Sequence, residues 1–188
     1  MSPLPVAPLT IEWSLLGLLA EKPMHGYELH QRLTVTTGLR LVWHIKQSQL
    51  YAVLARLEER GYLTTTLETQ EARPPRKIHT PTPAGRTALE AWVRTPVPRG
   101  RDLRLEFLAK VYFAQQQGDA ALHVLLAAQE TIFYKWLAEL QNTLDALNPT
   151  SYEALVYRFR VGQVQAMLAW LKQIETEDTA AATNTLDE

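Results

Sequence analysis

KQSQLYAVLARLEERG, residues Lys46 to Gly61, is the stretch on which the reading of this chain turns. Wound at 3.6 residues per turn, it places Leu50, Val53, Leu54 and Leu57 in one narrow apolar stripe. The other side carries Ser48, Tyr51, Ala52 and Ala55, with Gln47 and Gln49 in the first turn. A solvated surface helix would carry lysine and glutamate there. Small and hydrogen-bonding residues let a helix approach a partner closely while offering donors and acceptors, as a helix in the DNA major groove must. The helix is expected to stop at Gly61 as its C′ residue, and the β-prone run YLTTTLE follows at once. Helix, glycine and hairpin outline a winged helix-turn-helix. The competing reading is an ordinary amphipathic helix followed by a loop, since periodicity alone names no ligand.

Upstream, Thr10 is the expected N-cap of a first helix, Ile11 to Ala20, with Leu15, Leu16, Leu18 and Leu19 as its core residues. Pro23 stops that helix. Gly26 opens a second helix to about Thr36, and Leu39 to Ile45 reads as a β-prone linker. Downstream, short strands are expected over Tyr62–Glu68 and Lys77–Thr80, joined by the polar tip TQEARPPR. A hairpin bearing Arg73, Arg76 and Lys77 either reaches flanking phosphates or the minor groove, or is a solvated loop. Thr82-Pro83 reads as N-cap and N1 proline of a helix to about Arg94.

Pro96, Pro98 and Gly100 form the strongest break in the chain. Beyond it the pattern is all helical: Asp102–Gln117, then Asp119 to about Leu147, then Ser151 to about Thr176 with Thr150 and Glu153 as a capping box. Apolar residues from Leu122 to Leu147 recur near the 3.5 spacing of a packing seam, and Leu155, Phe159, Gly162, Ala166, Trp170 and Ile174 share one side of the last helix. The fold class is therefore mainly α. The expected domains are a DNA-binding winged helix-turn-helix over 1–98, a three-helix dimerisation domain over 99–176 and a disordered tail over 177–188.

The chain has 188 residues, no cysteine and a net charge of −1. No segment approaches the ~18 apolar residues of a membrane helix, and the start MSPLPVAPLT lacks the features of a signal peptide. A cytoplasmic protein without disulfides is expected. The charge is unevenly spread: residues 1–100 hold twelve Lys and Arg against eight Asp and Glu, and residues 101–188 hold seven against twelve. A basic half and an acidic half suit a protein that meets phosphate with one end. His25, His30, His44, His79 and His123 are scattered, with no pair at metal-ligand spacing. Nucleophile elbows and phosphate loops are absent from the sequence. No enzyme, metal or cofactor is expected. The tryptophans (Trp13, Trp43, Trp92, Trp136 and Trp170) are expected to pack in a core or dimer interface, or in one case to stack on an aromatic ligand.

Four pieces in order, LLGLLAEKPMHGYEL, QSQLYAVLARLEERGYL, RKIHTPTPAG and RDLRLEFLAKVYF, resemble the PadR family of bacterial transcriptional regulators, in the subgroup with a larger C-terminal helical region. The resemblance implies a homodimer that binds palindromic double-stranded DNA through paired winged helices, usually represses, and is released by a small aromatic or amphipathic effector. Carried over by position, Gln47, Ser48 and Tyr51 fall on the recognition face and Arg76 at the basic wing position. The whole expected DNA-facing set is Lys46, Gln47, Ser48, Gln49, Tyr51, Arg73, Arg76 and Lys77. His79 and Pro81 depart from the family's aromatic and leucine before Thr, so a short second wing strand is expected. The alternative is a winged-helix module that binds a protein groove instead of DNA.

Overall fold

The computed structural model describes residues 10–70 and 73–184. The Pro-rich start, the very tip of the wing and the last residues of the expected tail lie outside them. Helix α1, Thr10–Glu21, ends just before Pro23, and its four core leucines are fully buried. Met24–His25 then form a two-residue strand, β1. A dipeptide strand has no periodicity to read, so it was not among the expected elements.

Helix α2 covers only Gly26–Gln31 and continues as a widened turn over Arg32–Thr36. Two β-branched threonines and a valine crowd that segment, and the Thr34 hydroxyl donates back to the His30 carbonyl at 2.8 Å. The expected β-prone linker is instead a tight 3₁₀ turn, Gly38–Leu41. The fully buried Leu39 anchors it, and its carbonyl accepts from both Val42 and Trp43. His30 Nε2 lies 2.9 Å from the Ile45 carbonyl and pins the descending chain.

Helix α3, Gln47–Glu59, buries Leu50, Val53, Leu54 and Leu57, the expected stripe. It ends in a Schellman turn: Gly61 donates to Glu58 and Tyr62 to Leu57, both at 2.9 Å, and Gly61 takes φ 72°. The wing strands are β2, Leu63–Gln70, and β3, Arg73–Pro81, in an antiparallel sheet ordered β1-β3-β2. The second wing strand is thus longer than expected. Pro81 sits in its final pair, opposite Leu63, where a missing N–H interrupts nothing further along. Pro74 and Pro75 lie beyond β1, whose pairing is confined to Ile78 and His79, so that edge of β3 needs no donors there.

Helix α4, Pro83–Arg94, has the expected cap: Thr82 Oγ1 accepts from the Gly85 amide at 3.0 Å and donates to the Gly61 carbonyl at 2.7 Å. Three helical segments follow the proline break, but the first is divided into a 3₁₀ turn, Gly100–Arg104, and α5, Glu106–Gln117. The chain forms two compact units, Met1–Gln116 and Gln117–Glu188, so nearly all of α5 goes with the first. The reason is side-chain fit. The Phe113 ring rests on Gly17, where any Cβ would collide with it. Trp92 stacks on Trp13, centroids 5.8 Å apart, and donates Nε1–H to Glu106 at 3.0 Å. Lys110, 1% exposed, donates to the Thr95 carbonyl at 2.6 Å, pairs with Glu106 at 3.0 Å and lies over the Trp92 ring. Burial lowers its pKa, against the pull of Glu106.

The second unit is a helical hairpin of α6, Asp119–Asp145, and α7, Tyr152–Asn184. Gly118 is the N-cap of α6. Ser151 Oγ rather than Thr150 caps α7, accepting from Ala154 at 3.1 Å. On α6 the expected seam is buried at Leu122, Leu126, Gln129 and Phe133, while Trp136, Leu140, Leu144 and Leu147 are only half-buried. Among the described side chains of α7 the buried ones are Ala154, Val164, Leu168 and Leu171, not the expected stripe. Leu155 and Phe159 of that stripe are 56% and 65% exposed. The helix also runs on through Asn184, past Thr176, over a segment expected to be disordered. Its alanines at 180–182 are strong helix formers.

Candidate nucleic-acid interface

The exposed side of α3 is built from its buried side. Four apolar anchors fix the helix rotation, and a buried carboxylate fixes its attachment to α1. Glu12, 2% exposed, accepts from Arg56 Nε at 3.0 Å and from Arg60 Nη1 at 2.8 Å. A charge so buried is tolerated because two guanidinium groups satisfy its oxygens. Glu12 positions the helix, and its sequence context gave no sign of that role.

With this rotation Gln47, Ser48, Gln49, Ala52 and Ala55 face outward and are exposed, and Tyr51 is half-exposed. Lys46 is the N-cap residue, its backbone in an extended conformation. Gln49 Oε1 accepts the Lys46 amide at 3.1 Å, so in the free protein this side chain is engaged in capping. Gln47 and Ser48 are the first-turn side chains left presented.

The wing stands beside them. Arg73 opens β3 opposite Gln70, Arg76 pairs across from Glu68, and Lys77 across from Leu67. Arg76 and Lys77 are drawn together with Tyr51 around a cavity of about 370 Å³, also lined by His25, Gly26, Tyr27 and His79. The Tyr51 ring lies on Gly26, so close that a Cβ there would push the ring aside. His25 Nδ1 accepts the Glu28 amide at 3.1 Å, as expected of a histidine serving its own turn. Its other nitrogen, Nε2, lies 3.4 Å from Arg76 Nη1. His79 is buried beneath, Nδ1 3.1 Å from Thr65 Oγ1, and burial lowers its pKa. Of the residues named from sequence, the structure brings Tyr51, Arg76 and Lys77 together around one cavity, and it adds His25 and Gly26, which were not among them.

The family model described as "Transcriptional regulator PadR-like family" matches residues 15–91, and "Virulence activator alpha C-term" matches 103–177. Over residues 15–91 the chain is PadR-like. The PadR-like match spans the elements from α1 to α4, the interface among them. The second match begins within the 3₁₀ turn before α5. Among relatives, the negative transcriptional regulator PadR of Bacillus subtilis is 28% identical over 103 residues, 55% of this chain and 56% of that protein. A probable transcriptional regulator of Mycobacterium tuberculosis is 27% identical over 89 residues, 47% of this chain and 46% of that one. The matched part thus spans about half the length of these relatives. Among solved structures, Bacillus subtilis PadR in complex with operator DNA is 22% identical, with 90% of this chain and 99% of that one covered and a TM-score of 0.46. The same protein with p-coumaric acid is 22% identical, covering 91% and 99%, with a TM-score of 0.41. Among the described residues no helix is long and apolar enough to cross a membrane.

Proposed function

We propose that this protein is a dimeric transcriptional regulator that represses by binding a palindromic operator in double-stranded DNA. The observation that carries the reading is the outward face of α3: small or hydrogen-bonding residues, with Gln47 and Ser48 presented at the first turn and a basic wing beside them. In this reading Gln47 and Ser48 read base edges, while Lys46, Tyr51, Arg73, Arg76 and Lys77 meet the phosphate backbone. Gln49 joins them by exchanging its capping bond for a contact with DNA. Dimerisation is supported by α7, whose uncovered stripe includes Leu155 and Phe159 and a groove of about 300 Å³ lined by Gln163, Ala166, Met167 and Trp170. Release by a small aromatic compound, the class represented by p-coumaric acid in the Bacillus relative, completes the proposal.

Selection of duplexes from a random pool by the purified protein tests it. A palindromic consensus is expected. Gln47→Ala should then lose about 1–3 kcal/mol of discrimination at one base pair per half-site, while binding to random duplex is kept. A pool with no enrichment removes α3 from the groove.

A further inference from the structure

His25, Tyr51, Arg76 and Lys77 bring donors to the otherwise largely apolar cavity between α2, α3 and the wing, and the histidine has its tautomer set by its capping bond. His25 Nδ1 accepts the Glu28 amide, so that nitrogen carries no proton. A neutral imidazole must then bear its proton on Nε2, and Nε2–H is a donor. The group nearest to it is another donor, Arg76 Nη1, at 3.4 Å. Two donors this close make no hydrogen bond with each other; they await a shared acceptor. Glu28 Oε2 is 4.0 Å from Nε2, beyond hydrogen-bond reach, and the other carboxylate oxygen, Oε1, lies 3.7 Å from Lys22 Nζ. The Tyr51 hydroxyl, held against Gly26, and Lys77 complete the lining.

We infer that this cavity is a phosphate seat in which His25 and Arg76 share one phosphoryl oxygen. The inference rests on the DNA-binding reading above and assigns to His25 a direct contact with the nucleic acid. The seat opens beside the exposed first turns of α3, so its occupant is a phosphodiester of the same duplex whose bases α3 meets. A bridging oxygen satisfies both donors at once, which no side chain or backbone group among the described residues does. In the tautomer that caps its turn His25 contributes a hydrogen bond and no charge.

That distinction gives the test. His25→Asn keeps a capping oxygen but is too short to place a donor beside Arg76. Binding of the full chain to duplex DNA, followed by fluorescence anisotropy at several salt concentrations, should fall roughly tenfold per half-site for His25→Asn, the worth of one hydrogen bond to a charged group. The slope of log affinity against log salt should stay that of the parent. Arg76→Ala should also weaken binding, and reduce the slope by about one per contact. The double variant should lose less than the two single losses combined, because both act on one oxygen. On the DNA side, one methylphosphonate at the contacted position should abolish most of the difference between parent and His25→Asn without touching the protein. Parental affinity in a His25→Asn variant of unchanged melting temperature would overturn the seat and leave the DNA reading standing. A parent that binds no duplex would overturn both. Competition by millimolar inorganic phosphate at constant ionic strength, lost in His25→Asn, would make the seat one for a free anion and overturn the backbone assignment.

Discussion

Helices α3 and α7 both carry apolar residues at helical spacing, and the fold treats them in opposite ways. On α3 the stripe is single, and all of it is buried within its own unit. On α7 there are two stripes. One, Ala154, Val164, Leu168 and Leu171, is buried; the other, with Leu155 and Phe159, stands in solvent. A chain that covers every apolar face it makes can fold alone, whereas a helix with a second uncovered face is shaped for a partner. On α3 the apolar stripe is covered, whereas α7 keeps a second face uncovered.

The largest effect expected from this contrast is on α3. Leu50→Ala removes a fully buried side chain and should destabilise the protein by about 2–5 kcal/mol, read from denaturant unfolding. A loss below 1 kcal/mol would mean the α3 stripe is not core. Next, Leu155→Ser with Phe159→Ser should leave the monomer intact, since both side chains are already exposed. If they form the dimer contact, the dissociation constant should rise by two orders of magnitude or more, about 2.7 kcal/mol or above. Sedimentation at micromolar concentration decides this, and an unchanged oligomeric state would assign the stripe to another use. The smallest effect concerns the sheet. The pKa of His79 is lowered from 6.5, chiefly by burial, with Lys77 adding to the shift and Glu58 opposing it. The unfolded chain therefore binds more protons than the folded one just below pH 6.5, and stability falls as pH drops through that window. His79→Gln should flatten the pH dependence of the melting temperature between pH 7.5 and 5.5. A profile identical to the parent would place the titration elsewhere.

The same contrast explains what could be read from the sequence. The α3 stripe, the Gly61 stop and the Thr82-Pro83 start were legible because each is a local signal obeyed locally. The stripe on α7 was also correctly seen as a stripe. What spacing could not reveal is which of two apolar sides meets α6, because that depends on the rotation of one helix against another. The division of the chain was hidden for a similar reason: prolines mark where a helix must stop, but Phe113 on Gly17 decides where α5 packs. At the candidate interface Gln47, Ser48 and Tyr51 follow from the α3 pattern. Glu12 and His25 do not, because Glu12 meets residues 44 and 48 positions away, and His25 acquires its neighbour only through the β3 register.

The trio of buried Trp92 and Lys110 with half-buried Glu106 carries a consequence for how such a sequence can drift. Replacing Lys110 alone leaves the Thr95 carbonyl without its donor and Glu106 without its cation. Replacing Glu106 alone leaves an ammonium in the core, and replacing Trp92 removes the indole from beneath it. Each single step descends into a less stable state before any second step can recover it. Three codons on two helices are thereby tied into one heritable unit, exchanged whole for an apolar set or kept whole.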